Sequence, residues 1–290
     1  RDFQDGFIKQ LWEKVKKNGH TRIRPTIRCE DIKANSFAGN KIIYNYFLPE
    51  MLATRRKNDP LLREIMESEY LKKKWIDQTI KMNRRPKNEN IEPVDIWECY
   101  RRCKGSINTF KASTAKYFLN KYGGTDEYLV VGDPCAGWGG RALATASLGW
   151  HYIGYDTNEN LKLGYERMCD RLDIKDQVKM NYYSFLDEED HYHTFNIVIT
   201  SPPYLNIEKY NGMALFESDE QYYKEFLIPL IDKLRRNTDG MVLINISEYM
   251  YRDYVKNGGR ECLSSEPLPQ QMGGKKNKET MYIFEGEFVP

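Results

Sequence analysis

The chain has 290 residues, of which 40% are hydrophobic and 30% charged, a balance that supports a buried core and argues against a wholly disordered chain. No apolar run approaches the roughly 20 residues that span a bilayer, so a helical membrane protein is not expected. The formal net charge of +2 conceals an imbalance: residues 1–105 hold 24 Lys and Arg against 15 Asp and Glu, whereas the other 185 residues hold 20 against 27. A basic front joined to a mildly acidic rear predicts a polyanionic partner for the front.

Residues 1–105 are expected to form a basic, mostly helical region. Phe7, Ile8, Leu11 and Val15 fall at helical spacing, as do Leu61, Leu62, Ile65 and Met66. Asp59-Pro60 predicts a helix start, because Asp caps a free N–H and Pro fits the first turn. Aromatic residues such as Trp12, Tyr44, Tyr70, Trp75 and Trp97 are interleaved with the basic runs Arg55-Arg56-Lys57, Lys72-Lys73-Lys74 and Arg84-Arg85. One such run is what any solvated helix face carries. Three of them with a regional surplus of positive charge predict a nucleic-acid surface. Arg84–Pro93 is polar and proline-bounded, which predicts a loop or linker. Arg1–Gln10 lack the apolar core of a secretory signal, and a cytoplasmic location, or a nuclear one in a eukaryote, is the expectation.

The six cysteines are scattered and no pair has C-x-x-C spacing. Cys99 and Cys103 would share a helix face but have no His nearby, so free thiols and no metal site are expected.

From residue 106 to 290 the texture changes to short β-rich runs separated by helical stretches. Strands are predicted at Tyr128–Gly132, Tyr152–Tyr155, Val178–Tyr182, Ile197–Thr200, Met241–Ile246 and Met281–Phe284. Helices are predicted at Arg141–Leu148, Asn160–Leu172 and Glu220–Leu234. This alternation predicts an α/β domain, with a mainly parallel sheet flanked by helices and ligands at the carboxyl ends of the strands.

Two segments at such strand ends carry chemistry. The first runs Leu129-Val130-Val131-Gly132-Asp133-Pro134-Cys135-Ala136-Gly137-Trp138-Gly139-Gly140-Arg141, a strand, a tight glycine turn and a helix start. It departs from the dinucleotide G-x-G-x-x-G pattern, and no Walker lysine follows. Asp156, at the end of the next predicted strand, is placed to accept both hydroxyls of a ribose. Asp133 would suit an ammonium group and would repel a pyrophosphate. Two acids and no phosphate-binding base point to a cofactor with a ribose, an amino group and no phosphate, a description that fits S-adenosylmethionine. A structural turn with a capping Asp is the alternative reading.

The second segment is Thr200-Ser201-Pro202-Pro203-Tyr204, which ends an apolar strand. The two prolines contribute no N–H, so the turn offers carbonyl acceptors. Ser201 adds another acceptor and Tyr204 a flat face for stacking. Together they suit a planar base carrying an exocyclic NH2, whose nitrogen becomes a better nucleophile when both of its N–H groups are held.

These residues resemble the amino-group DNA methyltransferases that use S-adenosylmethionine, over roughly residues 106–290. The resemblance implies an α/β, Rossmann-like methyltransferase fold with an N-terminal, mostly helical domain. It implies that Asp133, Cys135, Ala136, Gly137, Gly139 and Asp156 bind the cofactor, with Phe110 near its adenine or methionine part and Ser184 and Phe185 near the adenine. It assigns the catalytic turn to Ser201, Pro202, Pro203 and Tyr204. Asn108–Lys116 resembles the segment that precedes the glycine turn in some members, and Lys278–Phe284 the terminal strand. Members with Ser before the diproline more often act on N4 of cytosine, and those with Asp or Asn on N6 of adenine. Only about 60 residues separate the two motifs and little follows the last predicted strand, so target recognition is assigned to the N-terminal region, with the loop Lys256–Lys278. The partner implied is double-stranded DNA with its target base flipped out of the stack. Methylation of N6 of adenine, of RNA or of a protein amide, and a non-catalytic binding module, are the alternatives.

Overall fold

The computed structural model describes residues 9–10, 12–16, 32–56, 59–83, 99, 109–124, 128–189, 195–205, 208–209, 212–269 and 279–287. The chain divides into two compact units: one comprises Arg1–Phe47, Thr109–Leu205 and Asn211–Pro290, the other Leu48–Asn108 and Asn206–Tyr210. The division near 108 lies close to the boundary expected at 105–106, whereas Arg1–Phe47 groups with the sheet-bearing unit instead of with the rest of the basic region.

The smaller unit contains the end of helix α1 (Asn40–Ala53), helix α2 (Leu62–Glu67) and helix α3 (Glu69–Asn83). Arg55–Arg56 pair antiparallel with Glu208–Lys209. Ile65, Trp75 and Cys99 form its small buried core, with Leu71 and Ile76 packed against them. The N-cap position of α2 is Leu61, two residues beyond Asp59. Helix α2 begins two residues beyond Pro60, and the Glu64 carboxylate accepts the Leu61 N–H at 2.9 Å, so the helix start is satisfied from inside its own first turn. Lys73, Lys74 and Lys81 of α3 are exposed while Trp75 and Thr79 are buried, the amphipathic division expected of a surface helix. Phe7, Ile8, Leu11 and the loop expected at Arg84–Pro93 lie outside the described residues; Trp12 and Val15 are buried in a helical stretch over residues 12–16.

In the larger unit, α4 (Ala112–Tyr122) precedes a regular alternation of strands and helices: β1 (Val130–Asp133), α5 (Gly140–Ser147), β2 (His151–Tyr155), α6 (Lys162–Leu172), β3 (Val178–Asn181), β4 (Ile197–Thr200), α7 (Asp219–Tyr222), α8 (Ile228–Arg236), β5 (Met241–Ser247), α9 (Glu248–Lys256), β6 (Ser264–Pro267) and β7 (Glu279–Glu285). The seven strands form one sheet in the order β3-β2-β1-β4-β5-β7-β6. All run parallel except β7, which is antiparallel to β5 and β6. This is the α/β, Rossmann-like architecture expected, a mainly parallel sheet flanked by helices, with the order reversing beside β1.

The central strands β4 and β5 are buried along almost their whole length, which is why Ile197–Thr200 and Met241–Ser247 read as continuous apolar runs and not as alternating ones. Helix α8 contributes Leu230, Ile231 and Leu234 to the buried cluster that also holds Val198, Val242, Ile244 and Phe284. Between α7 and α8 the chain makes a π turn over Tyr223–Leu227, just before Pro229, a residue with no N–H for a regular helical ladder. The predicted helix over Glu220–Leu234 is therefore three consecutive pieces. Strand β6 was not predicted. Its sequence, Ser264-Ser265-Glu266-Pro267, has no apolar period because an edge strand needs a partner on one side only and here is mostly exposed. No helix among the described residues is long and apolar enough to cross a membrane.

Candidate functional site

Strand β1 ends in the glycine turn, and Gly137 and Gly139 both adopt left-handed backbone, with φ of 55° and 80°. The third glycine, Gly140, is required for a different reason. A Cβ there would lie 2.1 Å from the carbonyl oxygen of Phe110, so the segment before α4 seats directly on the start of α5. Phe110, predicted from a distant stretch of chain, is thus brought to the glycine turn. Its ring lies 5.2 Å from the guanidinium of Arg141.

Asp133 is a hub of this turn, and its role differs from the one expected. Its carboxylate is fully buried and accepts from Arg141 Nε at 2.6 Å, the Tyr152 hydroxyl at 2.7 Å, the Thr200 hydroxyl at 2.8 Å and the Cys135 N–H at 3.3 Å. With both oxygens engaged by protein donors and no exposed surface, Asp133 is not the partner of a ligand ammonium. It is the counter-charge of Arg141, whose guanidinium also donates to the Cys135 carbonyl. Burial works against the charge on Arg141, but Asp133 more than offsets it and holds the guanidinium pKa above its ordinary value. Burial, reinforced by Asp133, pushes the Tyr152 phenol well up, so it remains a donor.

Asp156 lies at the strand end where it was expected. It is partly exposed at the end of β2, where Oδ2 accepts the Gly137 N–H at 2.8 Å and Oδ1 the Asn158 N–H at 2.9 Å. Each oxygen has further acceptor capacity, which suits two adjacent hydroxyls. Burial raises its pKa, against the pull of the two backbone donors. Beside it, the position of a Cβ on Gly137 has no atom nearer than 4.0 Å, so the turn leaves room for a ligand to lie close to the backbone. Tyr165 fixes this turn from below by donating to the Gly137 carbonyl at 2.9 Å, and the Ala136 N–H donates to the Tyr155 carbonyl at 2.9 Å.

Cys135 lies in the same turn. Its thiol pKa is pushed far up, first by burial and then by the negative charges of Asp133 and Asp156, so a nucleophilic thiolate is disfavoured. Among the described residues, Cys135, Cys169 and Cys262 are free thiols. Ser184 accepts the Leu186 N–H at 3.2 Å and caps a short turn over Phe185–Asp187. Phe185, expected near the adenine, has its ring buried in the core, 5.0 Å from Tyr155 and 5.9 Å from Phe195.

The Ser201–Tyr204 turn leaves the carboxyl end of β4, next to β1. The Pro203 carbonyl accepts the buried Tyr222 hydroxyl at 2.8 Å, so Pro203 anchors the turn to the core and that carbonyl is already engaged. The Ser201 hydroxyl donates to Asn245 Oδ1 at 3.3 Å, and Tyr204 donates its hydroxyl to the Glu279 carboxylate. Asn245 Nδ2 donates in turn to Glu279 Oε2 and to the Thr280 carbonyl, each at 3.3 Å.

Arg141, Tyr152, Tyr165, Tyr222, Asn245 and Glu279 all support the site, and no motif singles them out. Glu279 falls in the segment likened to a terminal strand, but its approach to Tyr204 comes only from pairing β7 beside β5. The loop residues 270–278 lie outside the described residues.

No protein-family model matches the chain, and no curated protein matches it. Among solved structures it is similar to TehB from Haemophilus influenzae, at 11% identity and a TM-score of 0.41, over 66% of this chain and 66% of that one. It is similar to TrmN from Thermus thermophilus at 13% identity and a TM-score of 0.44, over 62% and 50% of the two chains. SMU.472 in complex with SAH is 14% identical with a TM-score of 0.42, over 62% and 53%. The chain thus spans between half and two thirds of the length of these structures.

Proposed function

We propose that the chain is an S-adenosylmethionine-dependent methyltransferase that modifies the exocyclic amino group of a flipped base in double-stranded DNA, with N4 of cytosine as the target. One observation carries this reading: the glycine turn, Asp156 and the Ser201–Tyr204 turn leave the carboxyl ends of three adjacent strands, and the first and last are joined through Asp133 and Thr200. The placement of a ribose-type acceptor and an amine-type acceptor on the two strands that flank β1 is what a transfer between two planar partners requires.

The residues present fit the cofactor. Asp156 retains acceptor capacity for ribose hydroxyls, and the open side of Gly137 admits a close ligand. Ala136, Gly139 and Phe110 complete the same turn. When bound, S-adenosylmethionine supplies an electrophilic methyl group on a sulfonium.

The chain's own part is orientation. Tyr204 presents its ring to the base. Ser201, whose proton is directed to Asn245, keeps its lone pairs for an amine N–H, and the Pro202 carbonyl is a second acceptor. Holding both N–H groups would favour a pyramidal amine whose lone pair is free to take a methyl group as the methyl–sulfur bond breaks, with one amine proton then released to solvent, and proximity would supply much of the acceleration. The suppressed thiolate of Cys135 accords with direct transfer and no covalent enzyme intermediate. The basic residues of 1–105 are assigned to DNA contact, which must offset the few kcal/mol of base flipping.

The test is incubation with methyl-labelled cofactor and DNA or RNA of varied sequence, followed by digestion and identification of the labelled nucleoside. N4-methylcytosine in DNA is the expected product. Label in N6-methyladenine, in RNA or in protein would move the target assignment, and failure to bind the cofactor would overturn the reading.

A further inference from the structure

Ser201 is followed through its hydrogen bonds to a residue 78 positions away. Its hydroxyl donates to Asn245 Oδ1, and Asn245 Nδ2 donates to two acceptors on β7, Glu279 Oε2 and the Thr280 carbonyl. A backbone carbonyl cannot donate in any state, and a carboxylate is acceptor-only when ionised. These two groups therefore fix which end of the Asn245 amide faces Ser201. The amide oxygen faces the hydroxyl, the hydroxyl proton is drawn to it, and the serine oxygen is left as an acceptor. Glu279 also receives the Tyr204 hydroxyl. Asn245 is buried, so water does not compete readily for its amide.

We propose that Asn245 and Glu279 are specificity-determining positioning residues: they set the polarity of Ser201 so that the site accepts an amino group and rejects a carbonyl at the same place on the base. The inference rests on the proposed reading of Ser201 as the amine acceptor. Its physical basis is asymmetric. An amino group meets a lone pair, whereas a 4-oxo group meets a lone pair with a lone pair and leaves a polar contact unmade in a partly dry site. Because Asn245 and Glu279 act through Ser201, their substitution should change which base is accepted more than how tightly the cofactor binds.

The experiment compares duplexes that differ only in cytosine or uracil at the methylated position, using competition binding together with cofactor affinity and thermal melting for each variant. Wild type should prefer cytosine by a factor on the order of 10 to 100. Asn245→Leu should bring that ratio towards unity with cofactor affinity nearly unchanged, since a near-isosteric apolar side chain frees the serine proton to donate. Glu279→Ala leaves the Thr280 carbonyl to hold the amide and should lower the ratio in part, and Glu279→Gln, which keeps an acceptor oxygen, should restore most of that loss. If Asn245→Leu does not fold, the two Glu279 variants supply the test. A ratio unchanged in a folded Glu279→Ala or Asn245→Leu protein overturns the proposal, as does a Glu279→Gln variant no better than Glu279→Ala. A wild-type protein that binds cofactor but methylates no amino-bearing base would instead sink the parent reading, and this inference with it.

Discussion

The Thr200 hydroxyl donates to Asp133 Oδ1 at 2.8 Å, so the strand that ends in the diproline turn is bonded directly to the strand that ends in the glycine turn. Neither residue is exposed. The bond makes the distance between the two turns a property of the core, because the same carboxylate also holds Arg141 and Tyr152.

Asp133→Ala is expected to destabilise the fold by about 3–5 kcal/mol, since it strands the buried Arg141 charge and leaves three donors unmet. Thr200→Val should cost about 1–2 kcal/mol, the scale of one buried hydrogen bond. Denaturant unfolding of both variants checks the ranking. A larger loss for Thr200→Val would show that the hydroxyl, and not the Arg141 counter-charge, dominates.

Asp156 predicts opposite pH responses for stability and binding. Burial raises its pKa in the folded chain, so protonation favours the folded state: this contribution is fully present below the ordinary aspartate range and is lost as pH rises through the folded pKa. Cofactor binding needs the ionised acceptor and should weaken as pH falls through that same range. Titration calorimetry across mildly acidic pH should show the weakening in wild type and a much flatter dependence in Asp156→Asn, whose overall affinity should be lower by on the order of 10-fold.

Tyr204→Ala should reduce methyl transfer by on the order of 100-fold while changing cofactor affinity little, because a base loses its stacking surface and orientation. Single-turnover transfer and equilibrium cofactor binding, measured on one preparation, separate the two. Equal losses in both would remove Tyr204 from the target site.

Cys135→Ser should retain most of the transfer activity. The thiol is held protonated by burial and by two neighbouring carboxylates, and direct transfer does not use it. A loss above about 10³-fold in a folded variant, together with a trapped protein–DNA adduct in wild type, would point to covalent catalysis.

The pattern of the chain itself was enough for the layered α/β fold of residues 106–290 and for placing the glycine turn, Asp156 and the diproline turn at the ends of strands. Periodicity and turn chemistry are local, and the buried central strands advertise themselves as apolar runs. It was silent on β6, whose exposed edge carries no apolar period, and it placed the start of α2 two residues early because Glu64, not Asp59, satisfies the first free N–H. Asp133 read as a ligand-binding acid for the same reason that any carboxylate at a strand mouth does. Only the packing of Arg141, Tyr152 and Thr200 around it decided that its lone pairs face inward. Phe185 likewise became a core ring once Tyr155 and Phe195 closed on it. The link from Ser201 through Asn245 to Glu279 had no local signature, because hydrogen bonds between β5 and an antiparallel β7 depend on strand pairing and register, which tertiary structure alone supplies.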